Sequence, residues 1–186
     1  MAGRDRALRA WASNWGARED EVAAALPCDP LLPDAAIVVH RAVSVAADAP
    51  LVWRWICQLR AAPYSYDWLD NFGRRSPQRL TSGLEELAAG QRVMTIFRVA
   101  AFARDEHLTL LHASRATGEA AVTYAARPDG EGTRLLARFA WTPPALPLVR
   151  EPLMTAWALG DLAMARRQLL NLKALAERDA RARVRV

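Results

Sequence analysis

Three histidines are the first candidates for chemistry, but their spacing does not favour a metal site. His107 and His112 are separated by an odd number of residues and so would face opposite sides of one strand, while His40 lies far from both. Metal ions are usually held by His, Cys and carboxylate side chains at recognisable spacing. We therefore expect no metal and no other cofactor. His112 is a candidate acid or base in a cavity, although a surface or hydrogen-bonded histidine is the simpler interpretation.

Two carboxylates, Asp67 and Asp70, lie three residues apart on a short predicted helix. Such a pair could share proton-transfer work. The simpler interpretation is that Asp67 stabilises the helix N-terminus and that Asp70 faces water. The chain has no Gly-rich phosphate loop and no Gly-x-Ser-x-Gly nucleophile motif. No recognised catalytic motif is therefore present.

The aromatic cluster of Tyr64, Tyr66 and Trp68 is the most informative group. Aromatic rings with a polar tip suit a cavity wall that binds apolar rings and orients a hydroxyl or carbonyl group. A helix anchor packed against a sheet explains the cluster equally well. Arg41 shares a strand face with two valines, and it would either point toward a cavity mouth or be exposed at the start of the strand, since a buried arginine needs an anionic partner.

The elements that would position these residues follow from periodicity and from breaker residues. The valine-rich residues 36–46 are predicted to form a strand. Asp48-Ala49-Pro50 indicates the start of a helix, because proline is favoured in the first turn. A second short helix is predicted within residues 64–73, with Ser65 as a candidate N-cap. A third is predicted between Ser82 and Gly90, where Ser82 and Glu85 fit a capping box.

The second half of the chain reads as four strands and a long helix. The strands are predicted at 92–102, 106–114, 119–127 and 133–142, and the helix at 153–178. The last strand alternates between a predicted inward face and a mostly wet face. The inward set is Leu135, Ala137, Phe139 and Trp141, and the outward set is Arg134, Leu136 and Arg138.

The resulting fold class is α+β, a curved antiparallel sheet wrapped around a long C-terminal helix. A cylinder does not fill a wide curved sheet, so a ligand cavity should remain between them. We expect an N-terminal arm at 1–34, a ligand-binding domain at 35–180 and a basic tail at 181–186. Trp11 and Trp15 have helical spacing, and we expect them to pack against the domain surface or against a neighbouring subunit.

Three segments carry a resemblance to a known superfamily. Val43-Ser44-Val45-Ala46, with Ala49-Pro50 and Val52-Trp53, is similar to the strand-Ala-Pro-helix opening of the helix-grip (SRPBCC) superfamily of START-like, Bet v 1-like and polyketide-cyclase-like proteins. Tyr64-Ser65-Tyr66-Asp67-Trp68-Leu69-Asp70-Asn71 and residues 87–93 resemble segments of a bacterial branch of polyketide-cyclase and lipid-transport-like members. The resemblance covers about residues 36–178. The chain departs from it in showing five clear strands where the family usually has seven, and in carrying the arm.

The resemblance implies a cavity for a lipid, a polyketide or a quinone-like ring, and it implies no particular reaction because the superfamily shares no catalytic motif. We expect binding of a hydrophobic small molecule as the function. A polyketide cyclase or dehydratase using Tyr124, His112 or Arg41 is the alternative, and a basic interaction module is a second one. The candidate ligand-binding residues are Tyr64, Tyr66, Trp68, Asn71, Tyr124, Phe139, Trp141, Met154 and Trp157.

Charge and composition restrict the partners. The net charge is +5, and residues 161–186 carry seven basic and three acidic side chains. We interpret this excess as a solvated basic face and expect no nucleic-acid partner. No uninterrupted apolar run approaches the roughly 18 residues of a membrane span, and no signal peptide is evident, so we expect a cytoplasmic protein without stable membrane insertion. Cys28 and Cys57 should be reduced, and a homodimer remains open.

Overall fold

Seven strands form one curved sheet in the computed structural model, which describes residues 2–145 and 150–184. The strands are β1 (Asn14–Trp15), β2 (Ile37–Val45), β3 (Arg92–Val93), β4 (Phe97–Ala103), β5 (His107–Ser114), β6 (Gly118–Asp129) and β7 (Gly132–Thr142). They lie in the order β1-β2-β7-β6-β5-β4-β3. Every neighbouring pair is antiparallel except β1 and β2. The strands predicted at 36–46, 106–114, 119–127 and 133–142 are confirmed as β2, β5, β6 and β7. The strand predicted at 92–102 is divided into β3 and β4, and β1 was not predicted.

The helices are α1 (Ala2–Ser13), α2 (Glu19–Ala23), α3 (Ala49–Cys57), α4 (Asp67–Asp70) and α5 (Arg150–Val184), with 3₁₀ turns at Asp29–Leu31 and Gln58–Arg60. α3 begins where the sequence indicates, because the Asp48 carboxylate accepts a hydrogen bond from the Leu51 amide at 3.1 Å and Pro50 occupies the first turn. Trp53, Trp55 and Ile56 are buried on α3.

The long helix α5 packs on the concave face of the sheet. Leu169, Leu172 and Ala176 share one hydrophobic core with residues of α3 and with Val45 and Leu135 of the sheet. The predicted helix at 153–178 is confirmed, and it begins three residues earlier and ends six residues later, at Arg150 and Val184. The first residues of the predicted basic tail, up to Val184, are therefore helical.

The arm covers both sides of the sheet edge formed by β2. α1 packs against α5 and β2, β1 pairs with β2, and the segment after β1 lies on the convex face. A Cβ atom at Gly16 would lie 2.3 Å from the Ala42 carbonyl oxygen, and its φ is +76°, so only glycine permits this close crossing.

The convex side of β7 is buried, which corrects the wet face expected for this strand. Arg134 and Arg138 are 7% and 5% exposed, because the arm lies over them. Leu136 packs there with Leu26 and Cys28 of the arm. Both cysteines are buried and free.

Other local predictions are wrong for identifiable reasons. Residues 82–90 form turns, and Glu85 accepts a hydrogen bond from Arg54 at 2.7 Å in place of capping a helix. Ser65 caps nothing, since α4 begins at Asp67. The strand expected at 92–102 is interrupted because Met94 and Thr95 have positive φ values.

Trp11 and Trp15 do not share a helical face, because α1 ends at Ser13. Trp15 lies in β1 and packs against the core, with the Arg166 guanidinium 5.5 Å from its ring centre. Trp11 is 67% exposed, so Trp15 alone of the two packs against the domain, and contact of Trp11 with a neighbouring subunit stays a prediction.

Candidate functional site

A cavity of about 790 Å³ lies between α5 and the concave face of the sheet. Its mouth is formed by the segment around α4, the β3–β4 connection and the β5–β6 turn. Most of its wall is apolar. The aromatic and aliphatic lining includes Met94, Phe97, Phe139, Trp141, Trp157 and Met164.

Four of the nine predicted site residues line this cavity. Trp141 and Trp157 stack with ring centres 4.9 Å apart and planes 12° apart. Tyr124 and Phe139 meet edge to face at 5.8 Å. Strand alternation placed the three sheet residues on the inward face, and the helical stripe placed Trp157 opposite them.

The other five lie off the lining. Tyr64 packs edge-on against Trp55 in the core, and Met154 is buried behind the wall. Two of the rest, Tyr66 and Trp68, are 36% and 74% exposed. The last, Asn71, donates a hydrogen bond to a loop carbonyl at 2.6 Å. Contact with a ligand stays a prediction for all nine.

The segment 64–71 does reach the cavity, but through different side chains. Ser65, Leu69 and Asp70 line it. The left-handed backbone at Tyr64, with φ of 57°, and the late start of α4 rotate the aromatic side chains away. The hydrophobic pattern of the sequence does not predict this rotation of the side chains.

Tyr124 and Gln168 form a fully buried polar pair in the wall. The Tyr124 hydroxyl donates to Gln168 Oε1 at 2.7 Å. Gln168 Nε2 donates to the Pro63 carbonyl at 2.6 Å and contacts Met94 Sδ at 3.5 Å. Burial raises the pKa of Tyr124 above its ordinary value, so the phenol stays protonated.

Arg41 and Asp161 form a buried ion pair that the sequence analysis missed. Arg41 Nε and Nη2 donate to Asp161 Oδ2 at 3.1 and 2.7 Å, and Nη1 donates to the His40 carbonyl at 2.9 Å. Arg41 is only 1% exposed, so the expected exposure at the start of the strand is wrong, and the anionic partner that a buried arginine needs is a protein carboxylate. Burial raises the pKa of Asp161 to about 6, and the attraction of Arg41 opposes that rise in part.

The signal for this pair is present in the sequence. Asp161 and Gln168 interrupt the apolar stripe of α5 two turns apart, and both line the cavity. A polar side chain inside an apolar stripe requires a buried partner. The identity of that partner could not be read, because Arg41 lies 120 residues away.

Two unpaired polar side chains lie toward the mouth. Ser65 Oγ and both Asp70 carboxylate oxygens are buried without a hydrogen-bond partner among residues 2–145 and 150–184. Burial raises the pKa of Asp70, and the neighbouring Ser65 hydroxyl opposes this rise. The expectation that Asp70 faces water is therefore wrong.

His112 also lines the cavity, and both of its ring nitrogens are engaged. Nδ1 lies 3.0 Å from the Ile96 carbonyl oxygen and Nε2 lies 2.7 Å from Thr117 Oγ1. Because a carbonyl oxygen can only accept, Nδ1 carries a hydrogen and donates it to Ile96. His112 thus joins the two turns at the mouth.

Comparison with known proteins identifies the fold. No protein-family model and no curated protein matches the chain. Protein SA2116 from Staphylococcus aureus, a protein of unknown function, has a TM-score of 0.52 at 10% identity, covering 78% of this chain and 96% of that one. The di-domain ARO/CYC StfQ from the steffimycin biosynthetic pathway has a TM-score of 0.51 at 16% identity; the match covers 100% of this chain, which spans 61% of StfQ. The chain is an α+β protein with the helix-grip fold.

The described residues contain neither a metal-ligand cluster nor a membrane-spanning helix. Between residues 2 and 145 and from 150 to 184, no three His, Cys, Asp or Glu side chains lie together as a metal site. None of the helices in the same ranges combines the length and apolar character needed to cross a bilayer.

Proposed function

We propose that this protein binds a hydrophobic small molecule, such as a lipid, a polyketide or a quinone-like ring, in the cavity under α5. The cavity volume of about 790 Å³ carries this proposal. Small-molecule sites are typically concave, about 300–1,000 Å³ in size and mostly apolar, with a few polar groups that orient the ligand. The cavity under α5 has each of these properties.

The stacked pair of Trp141 and Trp157 supports binding of a flat or chain-like apolar group. The two rings are nearly parallel, so they present an extended apolar surface along one wall. Apolar area removed from water contributes about 25 cal/mol per Å² to binding before the costs of immobilising the ligand. The wall is therefore suited to apolar contact over a large part of a ligand.

Gly160 provides a direct test, because it lines the cavity and a Cβ atom there would meet nothing within 4 Å. We expect Gly160→Phe to fill the cavity and to abolish binding of the neutral apolar dye Nile red, measured by its fluorescence. Gly160→Ala is the matched control and should keep binding. Equal Nile red binding by wild type and Gly160→Phe would contradict the proposal, and native mass spectrometry of the purified protein would identify a retained ligand.

An enzyme of the cyclase or dehydratase type is the second candidate, favoured by one observation. Asp161 lines an apolar cavity with a pKa of about 6, so it can hold or release a proton near neutral pH. StfQ, which shares the fold, is an ARO/CYC protein. A ligand recovered from the protein with unchanged mass after long incubation would favour the binding function.

A further inference from the structure

Most hydrogen-bond donors of the polar groups in the cavity wall are already engaged with acceptors of the protein itself. The Tyr124 proton goes to Gln168, and the Gln168 amide donates to Pro63 and contacts Met94. The Trp141 indole nitrogen donates to the Thr117 carbonyl at 3.1 Å. What these groups can still offer a ligand is therefore mainly lone pairs on oxygen.

Asp161 contributes a free acceptor. Both contacts from Arg41 go to Oδ2, and Oδ1 has no hydrogen-bond partner in the part of the chain that the structure describes. The Asp161 side chain is 9% exposed and lines the cavity. Oδ1 is absent from the fully enclosed unpaired atoms, so it is open to a partner, and the cavity is the space that Asp161 lines.

The other oxygen groups near the mouth offer a ligand nothing further. The unpaired side-chain oxygens of Ser65 and Asp70 are fully enclosed, unlike Asp161 Oδ1. The guanidinium of Arg41 does not line the cavity and is held by Asp161 and His40. A ligand carboxylate would thus meet the Asp161 carboxyl group and no available cation among the described lining residues.

We infer that the cavity selects apolar molecules whose polar end donates a hydrogen bond, such as an alcohol, a phenol or an amine, and that it rejects those ending in a carboxylate, with Asp161 Oδ1 as the acceptor. This inference rests on the proposed binding function. A donor aimed at a buried carboxylate makes a charge-assisted hydrogen bond, which is stronger than a neutral one. A ligand carboxylate at the same place would have no cation of its own, because Arg41 is already paired with Asp161, and it would be repelled by the Asp161 charge.

The test compares two probes with the same chain, 1-decanol and decanoate, as competitors of Nile red on the full chain. At about pH 8 decanoate is ionised, as is an aspartate with a pKa near 6. Wild type should bind decanol about tenfold more tightly than decanoate. Equal affinities, or tighter binding of decanoate, would overturn the inference and leave the proposed function standing, whereas failure of wild type to bind Nile red at all would overturn the function itself.

Asp161→Asn should abolish or reverse the preference, because the amide can donate to decanoate and Arg41 loses its carboxylate partner. Glu119→Gln is the matched control, since Glu119 lies exposed on β6 outside the lining and should keep the wild-type preference. The double variant Arg41→Met with Asp161→Leu covers the case in which Asp161→Asn does not fold, because it removes both charges of the pair. Its affinities for the two probes should approach each other, and an undiminished preference for decanol there would exclude Asp161 as the acceptor.

Discussion

At the scale of single residues, the pair of Arg41 and Asp161 shows how burial sets protonation. Taking a carboxylate out of water favours its neutral form, and the adjacent guanidinium favours the charged one. The result is a pKa of about 6 for Asp161, so burial outweighs attraction here. The protonation of Asp161 is therefore sensitive to small changes in the contents of the cavity.

His40 lies on the other side of β2, and its pKa is lowered where that of Asp161 is raised. Its Nδ1 accepts a hydrogen bond from Arg138 Nε at 3.3 Å. Burial, with the charges of Arg138 and Arg41, lowers the pKa of His40 to about 4. The neutral ring is therefore the form that the fold requires.

We expect this histidine to weaken the fold as pH falls. Between its unfolded pKa of about 6.5 and its folded value of about 4, the unfolded chain binds a proton that the folded chain does not, so the free energy of unfolding rises with pH in this window. Asp161, whose pKa is raised, contributes the opposite slope up to about pH 6. His40→Gln should remove the first contribution alone, so wild type should lose more stability than the variant between about pH 7.5 and 5 in urea titrations. Parallel pH profiles of the two proteins would refute this assignment.

At the scale of elements, two arginines of β7 hold the arm on the convex face. Arg134 makes a two-pronged pair with Glu21, with both contacts at 2.7 Å, and also donates to the Gly16 carbonyl at 2.8 Å. Arg138 donates to Asp29 at 2.7 Å and to three carbonyls around α2. These donors satisfy backbone acceptors of an arm that has little regular structure of its own.

Arg134→Met should therefore destabilise the protein by about 3–5 kcal/mol, because it leaves the buried Glu21 carboxylate without its partner. Arg127→Met is the matched control, since Arg127 is the strand neighbour of Arg134 in β6 and makes no ion pair within the described residues. It should cost much less in the same denaturant titration. Adding Glu21→Met to Arg134→Met should restore part of the loss, and a double variant no more stable than Arg134→Met alone would count against a buried-charge penalty.

The elements differ in how far the sequence could predict them. β2, β5, β6, β7, α3 and α5 were predictable because each repeats a hydrophobic period over enough residues to fix its inward face, as in Tyr124, Phe139 and Trp141. α4 has a single turn, so the directions in which Tyr66 and Trp68 point depend on the backbone conformation at Tyr64. A hydrophobic period in the sequence does not predict that conformation. The arginines of β7 fitted a solvent-facing pattern because their partners are supplied by the arm, about 110 residues earlier.

At the scale of the whole molecule, the sheet is buried on both faces by different parts of one chain. α5 and α3 cover the concave face, and the arm covers the convex face over Ala42, Ala121 and Leu136. β1 also occupies the open edge of β2, whose unpaired backbone groups would otherwise be available to another strand. The arm is thus an integral layer of the fold in this structure.

Deleting residues 1–34 should expose this convex apolar surface and the β2 edge together. We expect a lower melting temperature and concentration-dependent association, measured by calorimetry and light scattering. Deleting only residues 1–13 is the comparison, since this keeps β1 and the convex cover and should cause no additional association. A full deletion with an unchanged melting curve would show that the arm adds nothing to stability.

The path of the arm also fixes an order of events during synthesis on the ribosome. β2 pairs with β1 and β7 alone, and Arg134 and Arg138, which hold the arm, both belong to β7. The N-terminal arm therefore leaves the ribosome long before its binding surface exists, and it must wait until about residue 142 has emerged. Until then β2, with its valine-rich sequence, lacks its partner β7, and this interval is when a nascent chain with an unpaired strand edge is most open to chaperones or to misassembly.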